Sequence, residues 1–498
     1  MRISVIEGDI TKVQADGIIV SLCEDSERLG VPTAAVVAVD TLLGGAIGAQ
    51  MDAGGFKGKP NEVVVVHSLG NLASRLVAVC GIGKQGDVTV DRVRDAVAEG
   101  CRALRKLGCR TIATTLVGAG SARLGALESA SAIAEGAGLG LYAFTKYKAP
   151  EGPEVELVTI VTRDASAVSA LGQAAAEGTV LAESTNLARD MVNEPANYMT
   201  PSRMAEMAQD LAASYGLKAT VFGRDDMVSM GMGALLGVAQ GSAEPPKFIR
   251  LDYDGGLPDG PRTALIGKAI TFDSGGISIK PSEGLAEMKD DMAGGASVMA
   301  ALSAIARLKL NANVSALVPA TENLPGGKAY RPGDILKSMS GKTIEIISTD
   351  AEGRLALADA ISYAIQERMS PLLDIATLTG ACRVALGNSY SGVFGNDDSL
   401  VDHFMRAART AGEKMWHMPL ADEYRELNKS PIADIKNTGN RYGGAITAAL
   451  FVSEFAGTVP WLHVDIAGTS NSSKDMGVIV KGATGVPVRT LYQFVRSE

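Results

Sequence analysis

Short runs rich in β-branched residues alternate with helix-length segments along almost the whole chain, and this alternation most limits the possible folds. Such alternation is typical of parallel sheets covered by helices on both faces. We therefore predict an α/β protein with a mostly parallel central sheet. In the first 165 residues the pattern predicts strands over Arg2–Glu7, Gly17–Ser21, Glu62–His67, Arg75–Cys80, Arg110–Leu116 and Glu156–Val161, with helices over Val90–Leu107 and Leu127–Glu135.

The length of 498 residues favours more than one domain, because single hydrophobic cores rarely grow to this size. Residues 166–194 are rich in alanine with few helix breakers, which predicts a long connecting helix. We expect an N-terminal α/β domain over residues 1–165 with a scaffold or assembly role. A larger α/β domain over residues 195–498 should carry the chemistry.

Composition excludes several classes of function. A net charge of −9 argues against a broad surface for nucleic acid or anionic membranes. The five cysteines are odd in number and lack a CxxC pair, which indicates free, mostly buried thiols in a reducing compartment. The chain opens in a strand pattern without a signal peptide, and no apolar run is long enough to span a membrane. We therefore expect a cytoplasmic protein.

Two carboxylates lie two positions apart in the stretch Ser348–Leu355, as Asp350 and Glu352. A strand over Lys342–Ile347, expected in the central sheet, is predicted before them, and a buried helix over Leu355–Glu367 after them. Ligands in open α/β sheets bind at the carboxyl ends of strands, which suits a functional pair. A solvated loop or the charge preference of a helix N-terminus would also explain two acids here.

A second stretch supplies further charged candidates upstream. Asp273 is expected in a loop beside paired glycines, and Asp291 just before a helix, where it could be a cap. Spacing alone does not exclude the neighbouring Asp290 from the role considered for Asp291. Lys268 ends a predicted strand, and a surface charge explains it more simply than a neutral amine ligand.

The sum of charges favours metal ions. Asp273, Asp291, Asp350 and Glu352 would repel one another in a cleft, and two divalent cations would balance their four charges. The chain has four histidines and no HExxH motif, so a histidine-ligated zinc centre is improbable, and His463 reads as a core residue. Oxygen ligands suit Mn²⁺ or Mg²⁺, with Zn²⁺ possible.

These residues resemble the M17 family of cytosolic leucyl aminopeptidases. The stretches Thr349–Leu355, Asp374–Ala381 and Lys481–Gly485 match the family's motifs, as does the spacing of Lys268, Asp273, Lys280 and Asp291. The resemblance implies one metal ion held by Asp273, Asp350 and Glu352, and a second held by Lys268, Asp273, Asp291 and Glu352.

The resemblance also implies roles for other residues. Lys280 would polarise the scissile carbonyl and stabilise the gem-diolate that forms when metal-activated water attacks, and Arg354 would hold a bicarbonate ion as general base. Met288, Thr377 and Gly380 would line the pocket for the first side chain of a peptide, with a preference for leucine and other bulky apolar residues. A homohexamer is implied as well. Ser348 stands where the family usually has asparagine, which leaves the side-chain preference open.

Two other functions stay open at this point. The opening Gly8–Lys12 followed by Gly17–Val20 resembles the start of macro domains, which bind ADP-ribose, but Ser21–Asp25 replaces their Asn-Ala-Asn run. The third hypothesis is a DNA-binding regulatory hexamer, which the acidic net charge supports poorly.

Overall fold

The computed structural model describes residues 1–25, 34–119, 124–149, 152–257 and 260–497. The chain divides into two compact units, one over Met1–Asn186 with Ser473–Lys481 and the other over Leu187–Ser472 with Gly482–Glu498. The division lies within a long helix. The predicted domain bounds of 1–165 and 195–498 remain predictions.

The N-terminal unit is built on a six-stranded sheet. Its strands are β1 (Arg2–Glu7), β2 (Gly17–Leu22), β3 (Val63–His67), β4 (Leu76–Gly81), β5 (Thr111–Thr115) and β6 (Leu157–Thr162). Its helices are α1 (Ala34–Leu42), α2 (Ala46–Asp52), α3 (Val90–Lys106) and α4 (Ala126–Gly140), followed by the start of α5 (Val168–Asn193). The strand order is β1-β6-β5-β2-β4-β3, and all neighbours are parallel except β3 and β4.

The C-terminal unit is built on a nine-stranded sheet. Its strands are β7 (Lys218–Phe222), β8 (Lys247–Asp254), β9 (Arg262–Gly267), β10 (Ala269–Asp273), β11 (Asn313–Asn323), β14 (Leu372–Ala376), β15 (Ser391–Gly395), β16 (Met415–His417) and β18 (Trp461–Asp465). They run in the order β16-β15-β18-β14-β9-β11-β8-β7, with β10 also paired to β11. The central strands β18, β14, β9 and β11 are parallel, so their carboxyl ends meet at one edge.

Apolar and small residues of the helices cover this sheet. The helices are α6 (Pro201–Tyr215), α7 (Arg224–Met230), α8 (Gly233–Val238), α9 (Ala293–Arg307), α10 (Gly353–Gln366), α11 (Gly380–Leu386), α12 (Asp398–Ala411), α13 (Gly444–Ala456) and α14 (Val488–Arg496). Helix α10 packs its buried face, from Leu355 to Ala364, into a core shared with β9, β14 and β18. The predicted α/β class and the mostly parallel sheets are confirmed.

A small three-stranded sheet lies apart from the main one. It consists of β12 (Ile335–Lys337), β13 (Thr343–Glu345) and β17 (Ile435–Lys436). The predicted strand Lys342–Ile347 is therefore shorter than expected, and its placement in the central sheet is wrong. Periodicity identifies an extended segment but does not say which strands it pairs with. A further short pair joins β19 (Asn471–Ser472) to β20 (Gly482–Ala483).

Other expectations agree with the structure. All five cysteines are free, and four of them are buried. Within the described ranges, no helix is both long and apolar enough to cross a membrane. His463 is a buried core residue whose Nδ1 lies 2.5 Å from Oδ1 of Asp374, as predicted.

Candidate metal centre

The charged residues gather at the carboxyl ends of the central parallel strands. Lys268 directly follows β9, Asp273 is the last residue of β10, and Asn323 is the last residue of β11. Thr377 follows β14. The expectation that Asp273 lies in a loop is wrong, because a short strand over Ala269–Asp273 pairs with β11 and carries it.

Three carboxylates converge on one point. Asp273, Asp350 and Glu352 each place an oxygen within 4.8 Å of the others. Asp350 and Glu352 come from the turn before α10, where Glu352 occupies the N-cap position. Asp273 and Glu352 are buried, whereas Asp350 is partly open to solvent.

Asp291 joins this cluster through Lys268. The Nζ atom of Lys268 lies 2.7 Å from Oδ1 of Asp291 and 2.9 Å from Oε1 of Glu352, and it donates to the carbonyl of Thr377 at 2.9 Å. The side chain of Lys268 is only 3% exposed, so its interpretation as a surface charge is wrong. Asp291 is not a helix cap, since Met292 holds the N-cap position of α9. Asp290 instead accepts a hydrogen bond from Asn471.

Lys280 forms the second bridge between carboxylates. Its Nζ lies 2.8 Å from Oδ2 of Asp273 and 2.6 Å from Oδ1 of Asp350. The segment leading to it turns sharply at Gly275 and Gly276, whose φ angles are 85° and 66°. A Cβ on Gly275 would lie 2.4 Å from the carbonyl oxygen of Ser278, so only glycine suits this turn.

Burial shifts the pKa values of the cluster. Desolvation, together with the neighbouring carboxylates, raises the pKa of Asp273 and of Asp291 above the usual range. Desolvation also raises the pKa of Asp350. For Lys268, burial lowers the pKa, but its ion pairs with Asp291, Glu352 and Asp273 outweigh this effect, so the pKa is raised.

The donor set fits divalent cations. Four carboxylates face two ammonium groups, so negative charge is in excess. In addition, Oδ2 of Asp291 and Oε2 of Glu352 are buried and have no hydrogen-bond partner among the residues that the structure describes. Buried oxygens without partners are costly unless a cation or another donor satisfies them. Oxygen-rich sets of this kind suit Mn²⁺, Mg²⁺ and Zn²⁺.

Arg354 lies in the first turn of α10, beside the acids. Its Nη1 donates to the main-chain carbonyl of Asn437 at 2.6 Å. Its Nε is buried, and no acceptor for it is found within the described part of the chain. Desolvation lowers the pKa of Arg354 to about 10, although the neighbouring acids act in the opposite direction. A buried guanidinium with an unused donor suits a small planar anion.

The three residues predicted to contact substrate lie on different elements. Met288 is half-buried in the short 3₁₀ helix Leu285–Asp290. Thr377 donates from Oγ1 to Oδ1 of Asp291 at 2.7 Å, so it contacts the carboxylate cluster directly. Gly380 begins α11 and is exposed.

Sequence reasoning missed several residues that hold the cluster together. Nδ2 of Asn323 donates to Oδ1 of Asp273 at 2.7 Å and to the carbonyl of Thr349 at 3.0 Å. Tyr330 donates to the same carbonyl at 2.7 Å. Asn437 contacts both the acidic stretch and Arg354. The position of Asn323 at the end of a parallel strand could have identified it, whereas nothing local distinguishes Asn437.

Comparisons with known proteins agree with this geometry. The sequence model of the cytosol aminopeptidase family matches residues 186–492 with its catalytic domain and residues 25–151 with its N-terminal domain. A probable cytosol aminopeptidase of Alkaliphilus metalliredigens is 45% identical over 100% of this chain and 99% of its own length. A probable cytosol aminopeptidase of Geobacter sulfurreducens is 43% identical over the same shares.

Solved structures give the same result. A variant of tomato leucine aminopeptidase superposes with a TM-score of 0.89 and 31% identity, covering 100% of this chain and 96% of that one. The bottromycin maturation enzyme BotP in complex with Mn superposes with a TM-score of 0.85 and 36% identity, covering 97% and 99%. The chain therefore belongs to the M17 cytosol aminopeptidase family and is a metallo-exopeptidase that removes residues from peptide N-termini.

Proposed function

We propose that this protein is a di-metal aminopeptidase whose centre is the cluster of Asp273, Asp291, Asp350 and Glu352. The observation that carries the proposal is the excess of carboxylate oxygen at the carboxyl edge of the main sheet, including two buried oxygens for which the described residues supply no donor. One cation would be held by Asp273, Asp350 and Glu352. The other would be held by Lys268, Asp273, Asp291 and Glu352.

When bound, the two cations would supply Lewis acidity to the scissile carbonyl and to a water molecule. Lys268 can be a ligand only as a neutral amine, so cation binding must release its proton. Its Nζ already lies between Asp291 and Glu352, the position from which it would share a cation with them. Metal affinity is therefore expected to rise with pH.

Lys280 is proposed to hold the charge that develops on the substrate oxygen as the gem-diolate forms. Its ammonium is anchored between Asp273 and Asp350, and its side chain is partly open to solvent. Burial lowers the pKa of Lys280, but its contacts with Asp273 and Asp350 raise it further, so the group stays charged. A fixed cation at such a position stabilises developing negative charge without reorganisation.

Arg354 is proposed to bind bicarbonate, which would act as general base. Its burial and its Nε, for which the described residues supply no acceptor, support this role, since a planar guanidinium can pair with a planar oxyanion through two parallel bonds. An Arg354→Lys variant keeps the positive charge but loses the planar pair of N–H donors. We expect the rate of Arg354→Lys to fall and to lose its dependence on added bicarbonate; undiminished bicarbonate activation would contradict the role.

The substrates are proposed to be peptides with leucine or another bulky apolar residue at the N-terminus. Met288, Thr377 and Gly380 would line the pocket for that side chain. Ser348 is half-buried and accepts a hydrogen bond from the backbone N–H of Asp350 at 3.2 Å. A panel of aminoacyl anilides, compared by kcat/KM, tests the preference.

The cations are proposed to be Mn²⁺ or Zn²⁺, with Mg²⁺ as the weaker candidate. The relative solved with Mn supports the first of these. We also propose a cytoplasmic homohexamer. Ile277 and Ile279 are exposed on the loop that carries Lys280, and a contact between subunits would bury their apolar surface. Light scattering should then give six times the chain mass of 51.5 kDa.

The decisive experiment is metal removal. Excess chelator should abolish leucyl-anilide hydrolysis, and added Mn²⁺ or Zn²⁺ should restore it, with about two ions per chain by elemental analysis. Full activity in excess chelator would overturn the proposal.

A further inference from the structure

One residue outside the acidic stretch contacts it at several points. Asn437 follows β17 and is completely buried. Its Oδ1 accepts a hydrogen bond from the backbone N–H of Ile347 at 2.8 Å, and its Nδ2 donates to the carbonyl of Ser348 at 2.6 Å. Because these backbone partners have fixed polarity, the orientation of the carboxamide is determined.

The main chain of Asn437 makes two further contacts. Its N–H donates to the carbonyl of Glu345 at 2.9 Å, which continues the pairing of β17 with β13. Its carbonyl accepts from Nη1 of Arg354 at 2.6 Å. Asn437 therefore touches the chain before Asp350 through its side chain and the guanidinium after Glu352 through its backbone.

The opposite side of the same stretch is held by other groups. The carbonyl of Thr349 accepts from Asn323 and Tyr330, and its hydroxyl donates to the carbonyl of Gly275 at 2.6 Å. These contacts fix Thr349 against β11 and the loop of Lys280. Asn437 contacts the backbone of Ile347 and Ser348, the two residues that precede Thr349.

We propose that Asn437 is a positioning residue that sets where Asp350 and Glu352 lie relative to Arg354. Aspartate at this position would keep the acceptor but lose the donor, and would place a charge against the carbonyl of Ser348. Alanine would leave the N–H of Ile347 and the carbonyl of Ser348 without these bonds. The inference rests on the proposed di-metal function, because it assigns Asn437 a role toward those ligands.

The test compares Asn437→Ala with Asn396→Ala. Asn396 makes the same kinds of bonds, accepting from the N–H of Trp461 at 2.8 Å and donating to the carbonyl of Val459 at 2.9 Å. It follows β15, which is antiparallel to β18, so it lies at the sheet edge away from the acids. Asn396 is exposed whereas Asn437 is buried, so it controls for the loss of the side-chain hydrogen bonds and not for the loss of buried volume.

Metal-free protein of each variant is titrated with Mn²⁺ by calorimetry, and kcat and KM are measured at several Mn²⁺ concentrations. We expect Asn437→Ala to bind Mn²⁺ about tenfold or more weakly, as is usual when a group supporting a metal ligand is lost. Its kcat should fall and recover partly as Mn²⁺ is raised, with KM changed less than kcat. Asn396→Ala should keep the affinity and the kcat of the unmodified protein.

A purely structural role for Asn437 would give a different result. The melting temperature would fall, while Mn²⁺ affinity and kcat below the melting range would match those of the Asn396→Ala control, and this overturns the inference. If Asn437→Ala does not fold, Asn437→Asp, which keeps the volume, is measured in the same way and judged by the same outcomes. Loss of activity in Asp350→Ala alongside unchanged Asn437 variants would refute only this inference and leave the di-metal function standing.

Discussion

Both units of the chain contain a mostly parallel sheet, but the charged residues at the ends of the strands differ between them. Among the described residues of the N-terminal unit, no group of three or more carboxylates gathers at the ends of the parallel strands β1, β2, β4, β5 and β6, and a buried arginine is paired with acids. Arg94 lies 2.9 Å from Glu135 and 2.7 Å from Asp91, so its charge is paired with two carboxylates. In the C-terminal unit the same kind of edge gathers more carboxylates than ammonium groups. Both units have a mostly parallel sheet, so the sheet type alone does not determine the chemistry; the excess of carboxylates at the strand ends of the C-terminal unit does.

The largest expected effect is on kcat/KM, and it is tested by comparing alanine variants of two aspartates. Asp350→Ala removes a carboxylate from the cluster, and we expect kcat/KM for a leucyl anilide to fall by at least about 10²-fold, the usual scale for a group that acts on the reacting centre. Asp9→Ala removes an acid that bonds Thr11 and pairs with Arg163 in the N-terminal unit, and activity should stay within twofold. Circular dichroism checks that both fold. Comparable activity in the two variants would break the comparison.

A pair of glycines gives the next effect. A Cβ on Gly353 would lie 2.5 Å from Cε of Lys268, and one on Gly100 would lie 2.8 Å from Sγ of Cys80. Alanine at either position should lower the free energy of unfolding by about 1–3 kcal/mol through overpacking. Only Gly353→Ala should also lower kcat, by roughly tenfold, because it displaces a side chain of the cluster. Equal kcat values for the two variants would show that Lys268 tolerates displacement.

A smaller effect is expected on the pH dependence of stability, through a buried acid outside the cluster. Asp359 accepts hydrogen bonds from the N–H groups of Leu235 and Met339, and burial raises its pKa to about 7. Its pKa in the unfolded chain is about 3.9, so between these values the folded protein binds more protons. The contribution of Asp359 to the free energy of unfolding is therefore largest at low pH, and it is lost as pH rises towards 7.

Denaturant unfolding at a series of pH values measures this contribution. The slope due to Asp359 should be at most about 1.4 kcal/mol per pH unit, and it should vanish in Asp359→Asn. Glu135→Gln in the N-terminal unit breaks the pair with Arg94 and serves as the comparison; it should lower stability without removing that slope. Because the pKa values of Asp273, Asp291 and Asp350 are raised as well, only a slope in Asp359→Asn equal to that of the unmodified protein would assign the effect to another group.

The smallest expected effect is on nucleotide binding. The stretch Ser21–Asp25 replaces the Asn-Ala-Asn run of macro domains, and its Glu24 and Asp25 are exposed acids that would repel a diphosphate. We expect calorimetry with ADP-ribose to show a Kd weaker than about 1 mM. A micromolar Kd would give the N-terminal unit a ligand of its own and sharpen its difference from the catalytic unit.

Sequence patterns predicted the six strands and the helices α3 and α4 of the N-terminal unit, because β-branched runs and amphipathic periodicity are local properties, but α1 and α2 were not predicted. They also predicted that four acids, two lysines and one arginine form one site, because acids brought together repel one another unless cations balance their charge. The grouping of Asp273, Asp350 and Glu352 follows from that charge argument and from family motifs.

What the sequence could not supply is pairing across long separations. The short β10 was missed because five residues give little periodicity, and β13 was placed in the wrong sheet because extended segments do not encode their partners. The burial of Lys268 also depends on acids 23 and 84 positions away, which meet it only in the folded chain. Asn437 was missed for the same reason.

The three-stranded sheet of β12, β13 and β17 has strands of only two or three residues. Elements this short contribute little to global stability and open locally before a large sheet does. The strand β13 ends five residues before Asp350. Warming is therefore expected to reduce activity reversibly while the nine-stranded sheet is still folded. Heat tolerance of turnover in this enzyme would then be set by its smallest sheet.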